Sequence, residues 1–419
     1  MSRRRFLKAC ERLALGAAAT RLAGAAGVAY AADESRPAVD PAVDPAVDWD
    51  GRVDRLLGRP EPGDIVVTAV GDMIWNRELT HFPEADYRNL YRILQDAEIT
   101  YGNLEMSLNE RPELQRGLYN YRKGREFAWE IARLGINLVS LGNNHAFDYG
   151  PEGLAETLSI LDRSGIAQAG GGLNPQQARQ RAELAFGRTK LSLLSFYSSA
   201  RAVSPDEGPA IATIAAPSVL VETDHGVAEA ATAPLEADVK AMEDAIRLAK
   251  AHTDIVIVTY HLHWVSHSRA YPIPDKVPPN QHPMLYRAIE AGADVIVGTG
   301  PHVLRGIELY RGKPIFYSLG NFIYQYKTAE IPPVIWTRDQ QQDIPEEFQT
   351  VVPRLTVRDK KITRIELIPC TLEMTGPRTG CPKLADDARG RRIIELVRDL
   401  SKPYGTRIRD EGWYARVAL

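Results

Sequence analysis

Five short polar clusters interrupt apolar stretches of this chain: Gly71-Asp72, Gly102-Asn103-Leu104-Glu105, Gly142-Asn143-Asn144-His145, His261-Leu262-His263-Trp264, and the run from Gly298 to Val303 that contains Pro301-His302. Carboxylates, a side-chain amide oxygen and neutral imidazoles are the ligand types of Zn, Mn or Fe, in contrast to the all-oxygen cage of Ca. Glu105 has the reach to bridge two ions. Taken singly the clusters say little, since a Gly-Asp pair at a strand end reads first as a turn and a lone His302 as a structural histidine. Their joint occurrence shifts the balance. Six of the nine histidines fall between positions 252 and 302, and His261 and His263 share one side of an extended backbone.

For such residues to meet, each cluster must end a strand of an α/β fold, because loops converge on ligands at the carboxyl ends of parallel strands. The periodicity supplies those strands. IVVTAV at 65 to 70 leads into Gly71-Asp72, a helix from Tyr87 to Gln95 feeds Ile99-Thr100-Tyr101, and a second from Glu126 to Leu134 feeds residues 136 to 141. A helix after Pro151 carries Leu154, Leu158 and Leu161 on one face and stops before Gly165. An alanine-rich helix over 227 to 251 precedes IVIVTY at 255 to 260, followed by a helix near 283 to 291, the strand DVIVG at 294 to 298, and a hairpin turning at Arg311-Gly312-Lys313. Residues 326 to 348 read as an insertion loop, and beyond 350 two strand-like runs and a helix from Ile393 to Leu400 carry no chemical motif.

The chain has 419 residues, a formal net charge of -3 and 44% hydrophobic residues, enough for a sizeable core and without the basic excess of a nucleic-acid binder. Ser2-Arg3-Arg4-Arg5-Phe6-Leu7-Lys8 matches a twin-arginine export signal, with Arg3 and Arg4 as the pair, and Ala29-Tyr30-Ala31 fits a signal-peptidase site. Export to the periplasm or beyond is therefore expected, with residues 1 to 31 removed. PAVD repeated over 37 to 48 reads as a spacer within 32 to 62, so the folded body is expected from about Gly63 to 325, completed by a C-terminal extension over 326 to 419. No stretch reaches the ~20 apolar residues of a membrane span, leaving at most peripheral attachment. Cys370 and Cys381 remain after the signal; a disulfide between them and two free thiols are equally open on sequence alone.

The ordered set GDMIW, NLEMSL, LGNNHAFDYG, YHLHWV, GADVIVGTGPHV and IFYSLGNFI resembles the capsule-synthesis CapA family, associated with poly-γ-glutamate export and similar in fold to calcineurin-like metallophosphatases. The resemblance covers residues 65 to about 325. It implies a four-layer α/β/β/α sandwich holding one or two divalent transition-metal ions. Asp72, Glu105, Asn144, His261 and His302 would be ligands, His263 a ligand or a substrate contact, and His145 the acid beside the metals. Family members commonly carry a histidine before the Pro-His pair, where this chain has Thr299-Gly300. The working expectation is metal-assisted hydrolysis of a phosphoester or a γ-glutamyl amide, with Asp148 orienting His145 and with Asn103 and Asn143 bonding the developing anion. The competing expectation is a non-catalytic component that holds an anionic cell-surface polymer. Ser318 invites a nucleophile reading, but a turn packing the sheet against the site fits its surroundings better.

Overall fold

A computed structural model describes residues 47–58, 61, 63–79, 82–111, 121–199, 207–216, 218–223, 226–231, 233–262, 282–325 and 346–419. The export signal, most of the PAVD repeat, His263 and residues 326–345 of the expected insertion lie outside them.

Two sheets stack face to face. In the first, Ile65–Ile74 pairs in parallel with Ile99–Leu104, which pairs with Leu138–Ser140 and that in turn with Ala167–Ala169. On its other side Ile65–Ile74 is extended antiparallel by Gln349–Arg358 and Lys361–Leu372, and then by Ala415–Val417 and Ile408–Asp410. In the second, Thr189–Ser199, Ile255–Leu262, Val295–Thr299 and Lys313–Phe316 run parallel, and the expected hairpin joins Ile307–Tyr310 to the last of these.

Side-chain alternation along each strand decides which core it feeds. Val67 and Ala69 share an inner cluster with Leu191, Leu193, Ile255, Ile257, Val295 and Val297, so this core lies between the sheets. Val70 instead joins the cluster of Leu90, Leu94, Ile131 and Leu154, contributed by the helices Ala85–Asp96, Phe127–Arg133 and Gly150–Arg163 on one outer face. Val256, Val258 and Phe196 join Val239, Ile246 and Leu285 from Glu236–His252 and His282–Ala291 on the other. The result is the expected α/β/β/α sandwich. Ile393, Ile394 and Val397 of the helix Asp387–Ser401 belong to the inner cluster, with Ile365 and Leu367 of the antiparallel extension.

Two expectations need correction, one strand went unread, and the open question of the cysteines has an answer. The alanine-rich helix begins only at Glu236; Gly226–Ala231 is a strand paired with Ser218–Thr223, and Pro234 disfavours helix in the residue before it. The stretch read as spacer contains a helix, Trp49–Leu57, capped by Asp48 Oδ1 accepting from Gly51 N at 2.8 Å, with Val53 and Leu56 buried and Trp49 edge-on to Trp413. Thr189–Ser199, a central strand, was not foreseen, because Ser192, Ser195 and Ser198 break its apolar run; all three are buried. The cysteines are free and buried. Cys370 pairs across the ladder with Leu384, whereas Cys381 O accepts from Glu373 N. That three-residue offset separates them by roughly 10 Å along the strand, beyond the reach of a disulfide.

One glycine fixes the approach of the strand that carries the site. A Cβ on Gly71 would lie 1.9 Å from Gly320 O, the acceptor for Asp72 N at 3.0 Å. Gly71→Ala is therefore expected to destabilise the protein by about 3 kcal/mol, the upper end of overpacking costs, read as a lower midpoint in urea unfolding.

Candidate metal centre

The carboxyl ends of the parallel strands place the polar clusters together. Asp72 lies near the carboxyl end of one strand beside Asn103 on the next, the two paired in register, and His261 lies beside Thr299 in the facing sheet. Asp72, Glu105 and His302 are buried and each offers a ligand atom, all within 4.8 Å of one another. His302 Nδ1 is 3.3 Å from Asp72 Oδ2 and its Nε2 3.8 Å from Glu105 Oε1. His261 approaches the same Glu105 oxygen, with Nε2 3.6 Å from Oε1 and 2.8 Å from Asn144 Oδ1. His302 holds a left-handed backbone, φ 61°, a strained conformation typical of functional turns.

Burial opposes charge throughout this cluster. The Glu105 carboxyl is pushed well above its usual range by burial and by the neighbouring Asp72 charge. Burial also acts on His302, but Glu105 and Asp72 outweigh it and raise the imidazole to about 10. Burial would raise Asp72 too, yet the hydrogen bond and charge of His302 hold it below the ordinary carboxylate range. At His261 burial outweighs the Asp72 charge, and the imidazole falls to about 3. Neither oxygen of Glu105 receives a hydrogen bond, and an unsatisfied buried carboxylate is costly. Asp72, Glu105 and His302 thus form a donor set that could hold a metal ion, and its composition of two carboxylates and an imidazole suits a divalent transition metal.

The profile of the bacterial capsule synthesis protein family PGA_cap matches residues 66–326. The chain belongs to this family. Among its relatives, the PGA biosynthesis protein CapA of Bacillus subtilis is 26% identical, with 84% of this chain and 83% of that protein covered. The capsule biosynthesis protein CapA of Bacillus anthracis is 25% identical over 81% of this chain and 74% of that protein. A solved Staphylococcus aureus chain, named "Putative 5'-Nucleotidase", overlaps 80% of this chain and 58% of its own at 11% identity and a TM-score of 0.38, too distant to bear on activity. PGA_cap membership accounts for the order of the motifs, and the geometry above is this chain's own.

The remaining expected residues divide by role. His145 Nδ1 sits 2.7 Å from Asp148 Oδ2, the pairing anticipated from sequence, and the Tyr121 ring stands edge-on to the imidazole at 4.6 Å. Asn103 and Asn143 do not fit the role of anion contacts. Asn103 Nδ2 donates to Asp72 Oδ1 at 2.8 Å and lies 3.2 Å from His261 Nδ1, while its Oδ1 accepts from Ser140 Oγ and Asn143 Nδ2. Asn143 also donates to Leu104 O and accepts from the backbone N–H groups of His145 and Ala146. Both side chains are fully buried with their polar atoms engaged, so they hold Asp72 and the His145 turn in place. Ser318 Oγ accepts from Gly320 N at 3.1 Å, a turn contact rather than a nucleophile's setting.

Three contributors were missed in the sequence. Thr299 Oγ1 lies 3.0 Å from His261 Nδ1, and Asn321 Oδ1 lies 2.8 Å from His302 Nδ1. Asn321 Nδ2 donates to the backbone oxygens of His302 and Glu347. Asn321 belongs to a recognised motif, IFYSLGNFI, but nothing in the sequence linked it to His302. Glu347 is buried with Oε2 unbonded; burial lifts its carboxyl from 4.5 to about 7, with His302 opposing and Glu346 assisting. A raised carboxyl favours folding below its unfolded value and loses that contribution as pH rises through the folded one. In chelator-treated protein, Glu347→Gln is therefore expected to match the wild type near pH 4 and to exceed it by up to about 3 kcal/mol above pH 7. Urea unfolding across that range checks this, and a pH-independent difference would remove the assignment.

Proposed function

We propose that this chain is an exported, metal-dependent hydrolase acting in poly-γ-glutamate or related cell-surface polymer metabolism, cleaving a phosphoester or a γ-glutamyl amide. The observation that carries the reading is Glu105: a carboxylate with both oxygens buried and unbonded, beside Asp72 and His302. Such a group is retained in a core when a cation completes it. Asp72, Glu105, Asn144, His261 and His302 would hold divalent metal, with Mn, Zn or Fe the ions their donor atoms suit. His263 is proposed as a further ligand or substrate contact. When bound, an ion polarises the scissile oxygen and acidifies water.

This chain's residues do the rest. Asn103 and Asn143 fix the carboxylate and the 143–146 turn. Asp148 holds Nδ1 of His145, leaving Nε2 as the nitrogen that exchanges a proton with the leaving group. Ser2 to Lys8 supports export by the twin-arginine route, which carries folded proteins and suits a site loaded before it leaves the cytoplasm. Among the described residues no helix is long and apolar enough to cross a membrane.

The test is a substrate screen on protein lacking residues 1 to 31, purified without chelator and loaded with Mn or Zn. Hydrolysis of a phosphoester or a γ-glutamyl amide that Asp72→Ala abolishes is the expected result. Retained metal with no cleavage of either class would overturn the catalytic reading and leave a polymer-holding component in its place.

A further inference from the structure

We infer that the two ion positions of this centre are unequal, and that Thr299 is the positioning residue that allows the weaker one, at Glu105, Asn144 and His261, to fill. This rests on the metal reading above and deepens it.

Both imidazoles turn Nε2 toward Glu105 Oε1, at 3.6 Å for His261 and 3.8 Å for His302, but their far nitrogens meet different chemistry. Asn321 donates through Nδ2 to two backbone oxygens, so its Oδ1 is the atom facing His302 Nδ1. An acceptor there keeps a ring hydrogen on Nδ1, so that once the ring gives up its second proton the Nε2 lone pair points toward Glu105, the arrangement a ligand needs. His302 is held in the tautomer that binds.

His261 is not. The Asn103 amide is oriented by Ser140 and Asn143, both donating to its Oδ1, so the group it turns toward His261 Nδ1 is an N–H donor. With Nδ1 accepting, the ring hydrogen sits on Nε2 and bonds to Asn144 Oδ1 at 2.8 Å. Two atoms that would both bind the second ion are then spent on each other. For Nε2 to become a ligand, the hydrogen must move to Nδ1, and Thr299 Oγ1 lies within reach to accept it at 3.0 Å. A hydroxyl serves either state, donating in one and accepting in the other.

The adjoining residue adds no donor side chain. Gly300 has φ +102°, and a Cβ there would meet Leu262 backbone atoms at 2.8 to 2.9 Å; its N–H is already committed to Asp72 Oδ2 at 2.9 Å. Among the described residues the second position therefore has few donors and must exchange a tautomer to use one of them.

Calorimetric titration of chelator-stripped protein with Zn or Mn, paired with native mass spectrometry for stoichiometry, tests this. Two binding events at least about tenfold apart are expected. Thr299→Val, close in shape but without the hydroxyl, should weaken the second by about 10- to 100-fold and leave the first unchanged, the usual effect of losing a histidine's outer partner. Thr299→Ser should restore the wild-type pattern, which a packing role for the threonine methyl would not. Equal affinities, a single ion at millimolar metal, or a Thr299→Val titration like the wild type's would each overturn the inference while leaving a metal site standing. No binding at all would instead overturn the metal reading on which it rests.

Discussion

Metal-free protein given excess Mn or Zn should melt about 5 °C higher, and Glu105→Gln should abolish that rise while making the metal-free protein more stable than the wild type. The opposite signs come from one carboxylate. At neutral pH the folded chain must keep Glu105 buried either as a charge or as an acid raised well above its ordinary value. Stability from a raised acid is complete below the unfolded value and declines as pH rises above it, so at pH 7 the carboxylate opposes folding. Glutamine carries no charge to desolvate. The metal-free variant is expected to gain about 1–3 kcal/mol, the range for an unsatisfied buried polar group. An ion at a hundred times its dissociation constant stabilises the wild type by about 2.7 kcal/mol, or roughly 2 °C per kcal/mol in a chain of this size. Glutamine keeps the shape but loses the anionic ligand, so that gain should vanish. Differential scanning calorimetry with and without chelator reads both effects. A metal-free Glu105→Gln protein less stable than the wild type would show Glu105 to be a structural acid with partners of its own.

How much of this was legible beforehand depended on what each residue's role required. Strand ends and ligand types can be read locally, because an apolar run followed by Gly-Asp or Asn-His needs no knowledge of the other sheet. The convergence of Asp72, Glu105, Asn144, His261 and His302 at strand ends was therefore legible, whereas the α/β/β/α architecture that brings them together was implied by the family resemblance. The supporting contacts were not. Thr299 and Asn321 act by what lies across a sheet from them, 38 residues from His261 in one case and 19 from His302 in the other. A threonine after a strand or an asparagine after a glycine looks like ordinary turn chemistry. The same limit misassigned Asn103 and Asn143, whose amides were expected at the substrate but are consumed inside the core. Local composition also misled where tertiary packing overrode it. The serines of Thr189–Ser199 hid a central strand, and the acidic surroundings of Trp49–Leu57 hid a helix whose Val53 and Leu56 are buried.

His145→Ala should lower turnover by about 10²- to 10⁴-fold, the usual worth of a positioned general acid, without changing metal content. The imidazole is half-buried at the mouth of a turn, its Nδ1 held by Asp148, and it is not among the atoms grouped around Glu105. Its loss should therefore spare ion binding. A group that protonates the departing oxygen or nitrogen matters most when that atom is a poor leaving group. The deficit should be largest with an alkyl ester or an amine-leaving amide and should shrink toward tenfold or less with a nitrophenyl ester, whose phenolate departs unaided. Asp148→Asn leaves the imidazole in place but removes the carboxylate that orients it through Nδ1. It is expected to cost about 10- to 100-fold, with the same dependence on leaving group. Values of kcat/KM across a series of esters, with metal measured on each preparation, check both variants. A loss that does not vary with the leaving group would place His145 in substrate binding and assign the proton transfer elsewhere, with Glu347 a candidate: a buried acid whose backbone oxygen shares Asn321 with His302.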